Sequence, residues 1–415
     1  QRVGKRFFKQ TIHDVDLRHK TVLVRVDYNV PLLENGEISD DLRIRASLPT
    51  LRYLLSQHCK IVLISHLGRP QGRDEKYSLA PVAVRLSELL QYPVKFVDDC
   101  VGDKVRQTVR RSSGAIILLE NLRFYPEEEA DDTQFARSIA RASQADYFVQ
   151  DGFAVVHRKH ASTHEITMYM PGLAGDLVCA EYNAITHAML KPKRPLVAIV
   201  GGAKVSDKIG MIHEFINKAD QILIGGAMAN TFLEYKGLNL GKSRVEPGQH
   251  DVIRQIYQAV EQKVGREHVD EFLLLPTDVA VAEHPDSQER REVSVAHVGA
   301  TDMALDIGMQ TIERYTAVLA HAGTIIWNGP VGLAEKSTFA IGSARLSLAI
   351  AQNKQALSVV GGGDTADFVL KWDGHDGAAF SHVSTGGGAS LALMAGKKLP
   401  GIESLLDAYG LGVVH

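Results

Sequence analysis

Three glycines and a carboxylate, Gly361-Gly362-Gly363-Asp364, followed by Thr365 and Ala366, close the apolar run Leu357-Ser358-Val359-Val360. The run and its glycine stop predict a strand, a tight turn and a helix beginning near Asp364. Backbone N–H groups at such a helix start have no intrahelical partner and carry the positive end of the dipole, and glycines let a phosphate approach them closely. A bare phosphate would repel Asp364, whereas a divalent cation between the two turns the carboxylate into a ligand, so the stretch points to a magnesium nucleotide. Gly361, Gly363 and Ala366 also fit the looser dinucleotide pattern G-x-G-x-x-A, which needs an acidic residue about 20 positions on to hold a ribose. Ser384 and Thr385 stand there instead, which argues against a dehydrogenase.

The same device recurs through the second half. The run 196–200 leads to Gly201-Gly202-Ala203-Lys204-Val205-Ser206-Asp207-Lys208, 221–224 to Gly225-Gly226-Ala227, 324–327 to Asn328-Gly329-Pro330-Val331-Gly332, and 382–385 to Gly386-Gly387-Gly388-Ala389. Together these turns would line a cleft in which a ligand lies against backbone. Lys204 and Lys208 are expected one helical turn apart on one face, both within reach of phosphates. Gly237-Leu238-Asn239-Leu240-Gly241-Lys242-Ser243 resembles a P-loop, but it is one residue short between its glycines and follows a helical pattern, so it is expected to be a surface loop.

The first half carries a complementary set. Arg43, His66, Arg69, Arg123, His157, Arg158 and His160 follow the apolar runs 21–27, 60–65, 115–119 and 146–149 or open helical patterns. In a parallel sheet all strands open their carboxyl ends on one edge, so these residues are expected to converge on a basic pocket. Arginine's planar fork binds phosphate or carboxylate through paired hydrogen bonds. Asp27 and Asn29, among these cations, could orient a substrate hydroxyl. His157, His160 and His164 make a poor zinc site, because Arg158 and Lys159 between them would repel a cation and no cysteine is near.

The elements that must hold these residues alternate. Helical patterns at 44–57, 79–90 and 180–190 fall between or after the apolar runs, which predicts an α/β fold with parallel sheets. Lys191-Pro192-Lys193-Arg194-Pro195 interrupts the alternation and marks a domain junction. At 415 residues the chain exceeds what one core usually supports. The expected architecture is two doubly wound, Rossmann-like parallel-sheet domains joined by a hinge helix, residues 1–190 and 191–399. A hydrophobic content of 45%, a charged content of 23% and a net charge of −3 give no global reason to expect nucleic acid or a membrane as partner. Cys59, Cys100 and Cys179 are odd in number and widely spaced, which fits a reducing compartment, here the cytoplasm. No apolar run approaches the roughly 18 residues of a membrane span, and the basic N-terminus lacks a signal core. The terminal Val413-Val414-His415 is not a peroxisomal address, so a glycosome-like organelle is the alternative only for a chain whose targeting tail has been trimmed.

A basic pocket in one domain and a magnesium-nucleotide cleft in the other imply phosphoryl transfer, which needs mainly positioning and charge neutralisation. No H-R-D or D-F-G motif supplies a base, and a carboxylate acceptor, already ionised at neutral pH, would need none. The segments 25–31, 65–70, 119–124, 201–208, 327–332, 361–365 and 384–390 resemble, in order and over essentially the whole chain, the motifs of the phosphoglycerate kinase family. The resemblance implies a monomer of two domains closing about a hinge, with residues 400–415 returning to the N-terminal domain. It implies reversible transfer between 1,3-bisphosphoglycerate with ADP and 3-phosphoglycerate with Mg-ATP, a step of glycolysis. The alternative is a catalytically silent nucleotide-binding regulatory protein of the same fold, for which loss of Arg43, Lys204 or Asp364 would have been the signature.

By position in the matching motifs, Asp27, Asn29, Arg43, His66, Arg69, Arg123, His157 and Arg158 would hold the glycerate. Gly202, Ala203, Lys204, Lys208, Gly226, Ala227, Ala304, Asn328, Pro330, Glu335, Gly363, Asp364 and Thr365 would hold the nucleotide, with Glu335 on the ribose and Asp364 on Mg2+. Arg43, Lys204 and the amides of Gly386 and Gly387 would stabilise the transferring phosphoryl group. Ala227 and Ala304 stand where the family commonly has glycines, and Ala334 and Lys336 flank Glu335 where aromatic residues are usual. Intact phosphate chemistry with altered base selectivity is the resulting expectation.

Overall fold

The computed structural model describes residues 7–408. The chain divides into two compact units, one made of the residues up to Tyr182 together with those from Lys398 on, the other of Asn183–Lys397. The division falls inside the helix Asp176–Leu190 and not at the proline pair that follows it. The expected tail from residue 400 is described to Ala408; residues 409–415 lie outside the described residues. In the first unit Lys9 Nζ donates to the carbonyls of Glu403 (2.8 Å) and Leu405 (3.0 Å), and the Leu406 N–H donates to the Gly172 carbonyl at 3.0 Å.

Among the described residues the first unit is built on six parallel strands, β1 Thr21–Arg25, β2 Lys60–Ile64, β3 Val94–Val97, β4 Ile116–Leu119, β5 Tyr147–Gln150 and β6 Gly172–Ala174, in the order β3-β4-β2-β1-β5-β6. The central strands are nearly continuous apolar runs, as sheets covered on both faces require. β3 is only four residues with a half-exposed pattern, and β6 carries two small residues, so neither stands out in the sequence. The helix expected over 44–57 is two helices, Leu42–Ala46 and Leu48–Ser56, parted at Ser47. Pro49, in the first turn of the second, has no N–H to continue the first.

The second unit repeats the plan. Strands β7 Leu196–Val200, β8 Gln221–Ile224, β9 Leu273–Leu274, β13 Thr324–Asn328, β14 Leu357–Gly361 and β15 His382–Val383 are parallel, in the order β15-β14-β13-β7-β8-β9. An antiparallel sheet, β10 Asp278–Ala282 between β11 Arg291–Ser294 and β12 Met303–Ile307, was not anticipated. Each parallel sheet reverses its winding beside its first strand, at β1/β5 and at β7/β13, and ligand crevices of doubly wound sheets open at such points.

Candidate active site

The chain leaving β1 supplies Asp27 and Asn29 to the first crevice, and the chain beyond β5 supplies His157 and Arg158. Arg43 donates to the Asn29 carbonyl at 2.7 Å and pairs with Asp27 at 3.5 Å. Asn29 Oδ1 accepts the Gly68 N–H at 2.8 Å, and the Gly68 carbonyl accepts from Arg123 Nη1 at 2.9 Å. Arg123, Arg43 and His160 act electrostatically on His66, and Arg69 and Arg158 act on Arg123, so the predicted cations share one neighbourhood. Arg69 and Arg158 are exposed there, while Asp27 and His66 are buried.

Three of the seven basic residues, His66, His157 and His160, are neutral histidines. Burial, reinforced by Arg25, Arg123, Arg43 and His160, holds His66 well below its ordinary value. Burial first and Arg158 second push His157 down to about 4. Burial and the arginines likewise bring His160 to about 4. The positive charge of the pocket therefore comes from arginine, a correction to the reading of seven basic residues as one charged set.

Arg25 is the functional neighbour that sequence reasoning missed. Its side chain is fully buried, its Nε donates to Ser162 Oγ at 2.9 Å, and its Nη2 donates to His66 Nδ1 at 2.8 Å. Arginine has only donors, so neutral His66 must carry its proton on Nε2. Glu128, whose carboxylate takes both the N–H (2.8 Å) and the hydroxyl (2.6 Å) of Ser162, lies 4.0 Å from the guanidinium. The available signal was an arginine inside an apolar strand, which needs buried partners. Arg123 Nε, His157 Nδ1 and His160 Nδ1 are buried without hydrogen-bond partners among the described residues. Arg158 Nε donates to His157 Nε2 at 3.2 Å, so the unpartnered Nδ1 of neutral His157 holds a proton. Arg123 Nε has only the Glu129 carboxylate near it, at 3.6 Å, and buried polar atoms without a hydrogen-bond partner beside exposed arginines are what an anionic ligand would complete.

The second crevice is a cleft of about 440 Å³. Of the predicted nucleotide residues, Gly202, Ala203, Gly226, Ala227, Ala304, Pro330, Glu335 and Asp364 line it. Its floor is made by glycine contacts too close for a side chain. A Cβ on Gly201 would lie 2.2 Å from the Pro330 carbonyl oxygen, and one on Gly226, itself at φ +69°, would lie 2.7 Å from that of Gly202. Gly363 opens the helix Gly363–Asp373, and a Cβ added there would meet nothing within 4 Å, so the approach to those amides is clear. Asp364 follows in the first turn, exposed on the rim. A carboxylate beside open helix-start amides fits a divalent cation carried with phosphates.

Several predicted residues also bond to the turns around the cleft. Thr365 is buried and its Oγ1 accepts the Gly329 N–H at 2.7 Å. Asn328 is also buried, its Nδ2 beside Met394 Sδ at 3.8 Å. Lys208 Nζ donates to the Gly201 carbonyl at 2.7 Å, and burial lowers it to about 8 against the opposing pull of Asp364 and Asp207. Lys204 is exposed; it and Lys208 lie in turns ahead of the helix Ile209–Lys218, which corrects the expectation that they share a helical face. The Gly386 N–H is already donated to Ser384 Oγ at 3.1 Å, whereas Gly387, at φ +51°, faces open space. The loop 237–243 is a brace: Ser243 Oγ accepts the Ala304 N–H at 2.8 Å, and Gly241 packs against the Gly299 carbonyl.

Three comparisons with known proteins point to one family. The sequence profile described as phosphoglycerate kinase matches residues 12–397. A phosphoglycerate kinase of Pelotomaculum thermopropionicum is 45% identical over 404 residues, covering 96% of this chain and 99% of that protein. One of Dictyoglomus turgidum is 46% identical over 397 residues, covering 95% and 98%. Among solved structures, the phosphoglycerate kinase of Coxiella burnetii superposes with a TM-score of 0.81 at 37% identity, covering 95% of this chain and 98% of that one. That of Pyrococcus horikoshii OT3 gives 0.80 at 33% identity, with the same coverage.

Proposed function

This chain belongs to the phosphoglycerate kinase family, and we propose on that premise how its residues divide the reaction. It is a phosphotransferase that moves a phosphoryl group reversibly between ATP and the carboxylate of 3-phosphoglycerate, a step of glycolysis. The buried polar atoms of Arg123, His157 and His160 that lack a hydrogen-bond partner among the described residues support the assignment of the glycerate site. Arg69, Arg123 and Arg158 bind the 3-phosphate, which is the most highly charged end of the acceptor. His66 offers Nε2–H, and Asp27 and Asn29 orient the hydroxyl. Arg43, tethered to Asn29 and Asp27, meets the carboxylate and the incoming phosphoryl group.

In the other unit the base and ribose occupy the lined cleft with Glu335 on the ribose, and the phosphates run toward Gly363 and the lysines Lys204 and Lys208. Asp364, beside the nucleotide phosphates, would hold Mg2+, which would supply charge neutralisation along the phosphate chain. Lys204 and the amide at Gly387 complement the equatorial oxygens in the transition state. Closure about a hinge, a monomeric state and residence in the cytoplasm belong to the same proposal; free Cys59, Cys100 and Cys179 support the last. Ala227 and Ala304, both on the cleft wall, support unusual base selectivity. Equal ADP and GDP affinities in the parent and in an Ala227→Gly, Ala304→Gly variant would remove that idea.

The deciding experiment is a coupled assay of ADP formation from Mg-ATP and 3-phosphoglycerate, run beside Arg43→Ala and Lys204→Ala. Turnover in the parent with losses of about a hundredfold or more in both variants is the expected result. Binding of both ligands with no turnover in the parent would make the chain a silent binding protein.

A further inference from the structure

The segment that carries Glu335 runs from Gly332 to the first turn of the helix Ile341–Gln352, and ahead of that helix its regular structure is the short turn Ser337–Phe339. Its position is set from outside. Arg290, whose side chain is 12% exposed, joins three pieces of chain. Its Nη1 donates to Asp306 Oδ2 at 2.8 Å and to the Thr338 carbonyl at 3.1 Å, its Nη2 to the Ile307 carbonyl at 2.9 Å, and its Nε to Glu292 Oε1 at 3.1 Å. Asp306 lies on β12 with its side chain fully buried, and its Oδ2 also accepts the Gly342 N–H at 2.9 Å. Both glycines that bound the segment approach the same carboxylate: a Cβ on Gly332 or on Gly342 would stand 2.4 Å from Asp306 Oδ1. The Leu333 N–H adds a bond to the Leu305 carbonyl at 2.9 Å. The segment is therefore fixed at its start by the Leu333 bond to Leu305, at its end by Asp306 and in between by Arg290, while its exposed crest presents Glu335 to the cleft.

The structure assigns Arg290 and Asp306 as a positioning pair for nucleotide recognition, which holds the Glu335 segment in its binding geometry without touching the phosphates. The assignment rests on the cleft being the nucleotide site. A largely covered arginine fork that satisfies two backbone carbonyls and two carboxylates deprives those groups of a partner when it is removed, so the segment loosens around them. Glu335 then has to be ordered when the ribose binds, and that cost falls on nucleotide affinity and not on phosphoryl transfer.

Arg290→Lys, Asp306→Asn and Glu335→Gln are to be compared by calorimetric titration with Mg-ADP and by steady-state assay. The expected result is an ADP Kd and an ATP KM raised about tenfold or more in Arg290→Lys and Asp306→Asn, with kcat within about twofold of the parent and the KM for 3-phosphoglycerate unchanged. In the double variant Arg290→Lys, Glu335→Gln, the two losses should fall short of multiplying, because both act through one contact. An unchanged ADP Kd in Arg290→Lys, or fully multiplicative losses, overturns the assignment. If Asp306→Asn fails to fold, Arg290→Lys decides alone. The titration reads nucleotide binding directly, so absence of turnover in the parent would overturn the proposed reaction and leave this test standing.

Discussion

Arg25 and Lys208 illustrate how a buried cation acts at the level of single side chains. Arg25 sets which nitrogen of His66 carries the proton and neutralises Glu128 in a fully buried setting. Arg25→Met should cost roughly 3–5 kcal/mol in urea unfolding, because Glu128 is left buried and unpaired. Adding Glu128→Gln should recover part of that loss, while 3-phosphoglycerate affinity stays weak because His66 is free to change tautomer. Lys208 gives a pH signature. Burial lowers it to about 8, so in the free protein it is protonated below that value and loses its charge above it. Mg-ADP affinity should therefore decline as pH rises through about 8 in the parent, and Lys208→Arg, which stays charged, should hold its affinity across the range of about pH 7 to 9. A parent titration that is flat over that range would show that Lys208 does not meet the phosphates.

At the scale of elements, the working parts are turns that follow parallel strands. The two glycines Gly201 and Gly363 occupy similar places after β7 and β14 but are required for opposite reasons. At Gly201 the space is already filled by the Pro330 carbonyl, so Gly201→Ala should lower stability by about 1–3 kcal/mol, visible as a drop in Tm. At Gly363 the space is open, so Gly363→Ala should fold and melt like the parent yet bind Mg-ADP several-fold more weakly, since its methyl projects where phosphates approach. A Gly363→Ala protein with unaltered ADP affinity would move the phosphates away from this helix start.

For the molecule as a whole, two parallel sheets with separate cores each hold one predicted ligand set. Each ligand should then protect its own unit. In amide exchange, 3-phosphoglycerate alone should slow the segments 25–30, 65–69 and 157–164, and Mg-ADP alone should slow 201–208, 226–230 and 329–336. Protection by Mg-ADP confined to the first set would reverse the assignment of ligands to units. The unit boundary itself was only roughly legible: prolines 192 and 195 are conspicuous in the sequence, but the contacts divide within the preceding helix, because a helix can leave one core and join another without any break in its own hydrogen bonds.

The parallel α/β architecture and the chemistry of its turns were determined by the sequence alone. Apolar runs that end in glycine or in arginine and histidine specify buried strands and the glycine-rich or basic turns after them, because both signals are local. The contact partners were decided only by tertiary structure. The neutrality of His66, His157 and His160 comes from burial among arginines, several of them far away in sequence. The bonds of Thr365 to the Gly329 N–H and of Asn328 to Met394 depend on which atoms of neighbouring elements come within reach. The antiparallel sheet of β10, β11 and β12, and with it the Arg290–Asp306 pair, had no periodic signature strong enough to read. Its strands are short, one of them is exposed, and their pairing is fixed by a fold that brings residues 290, 306 and 338 together, a relation that no local pattern encodes.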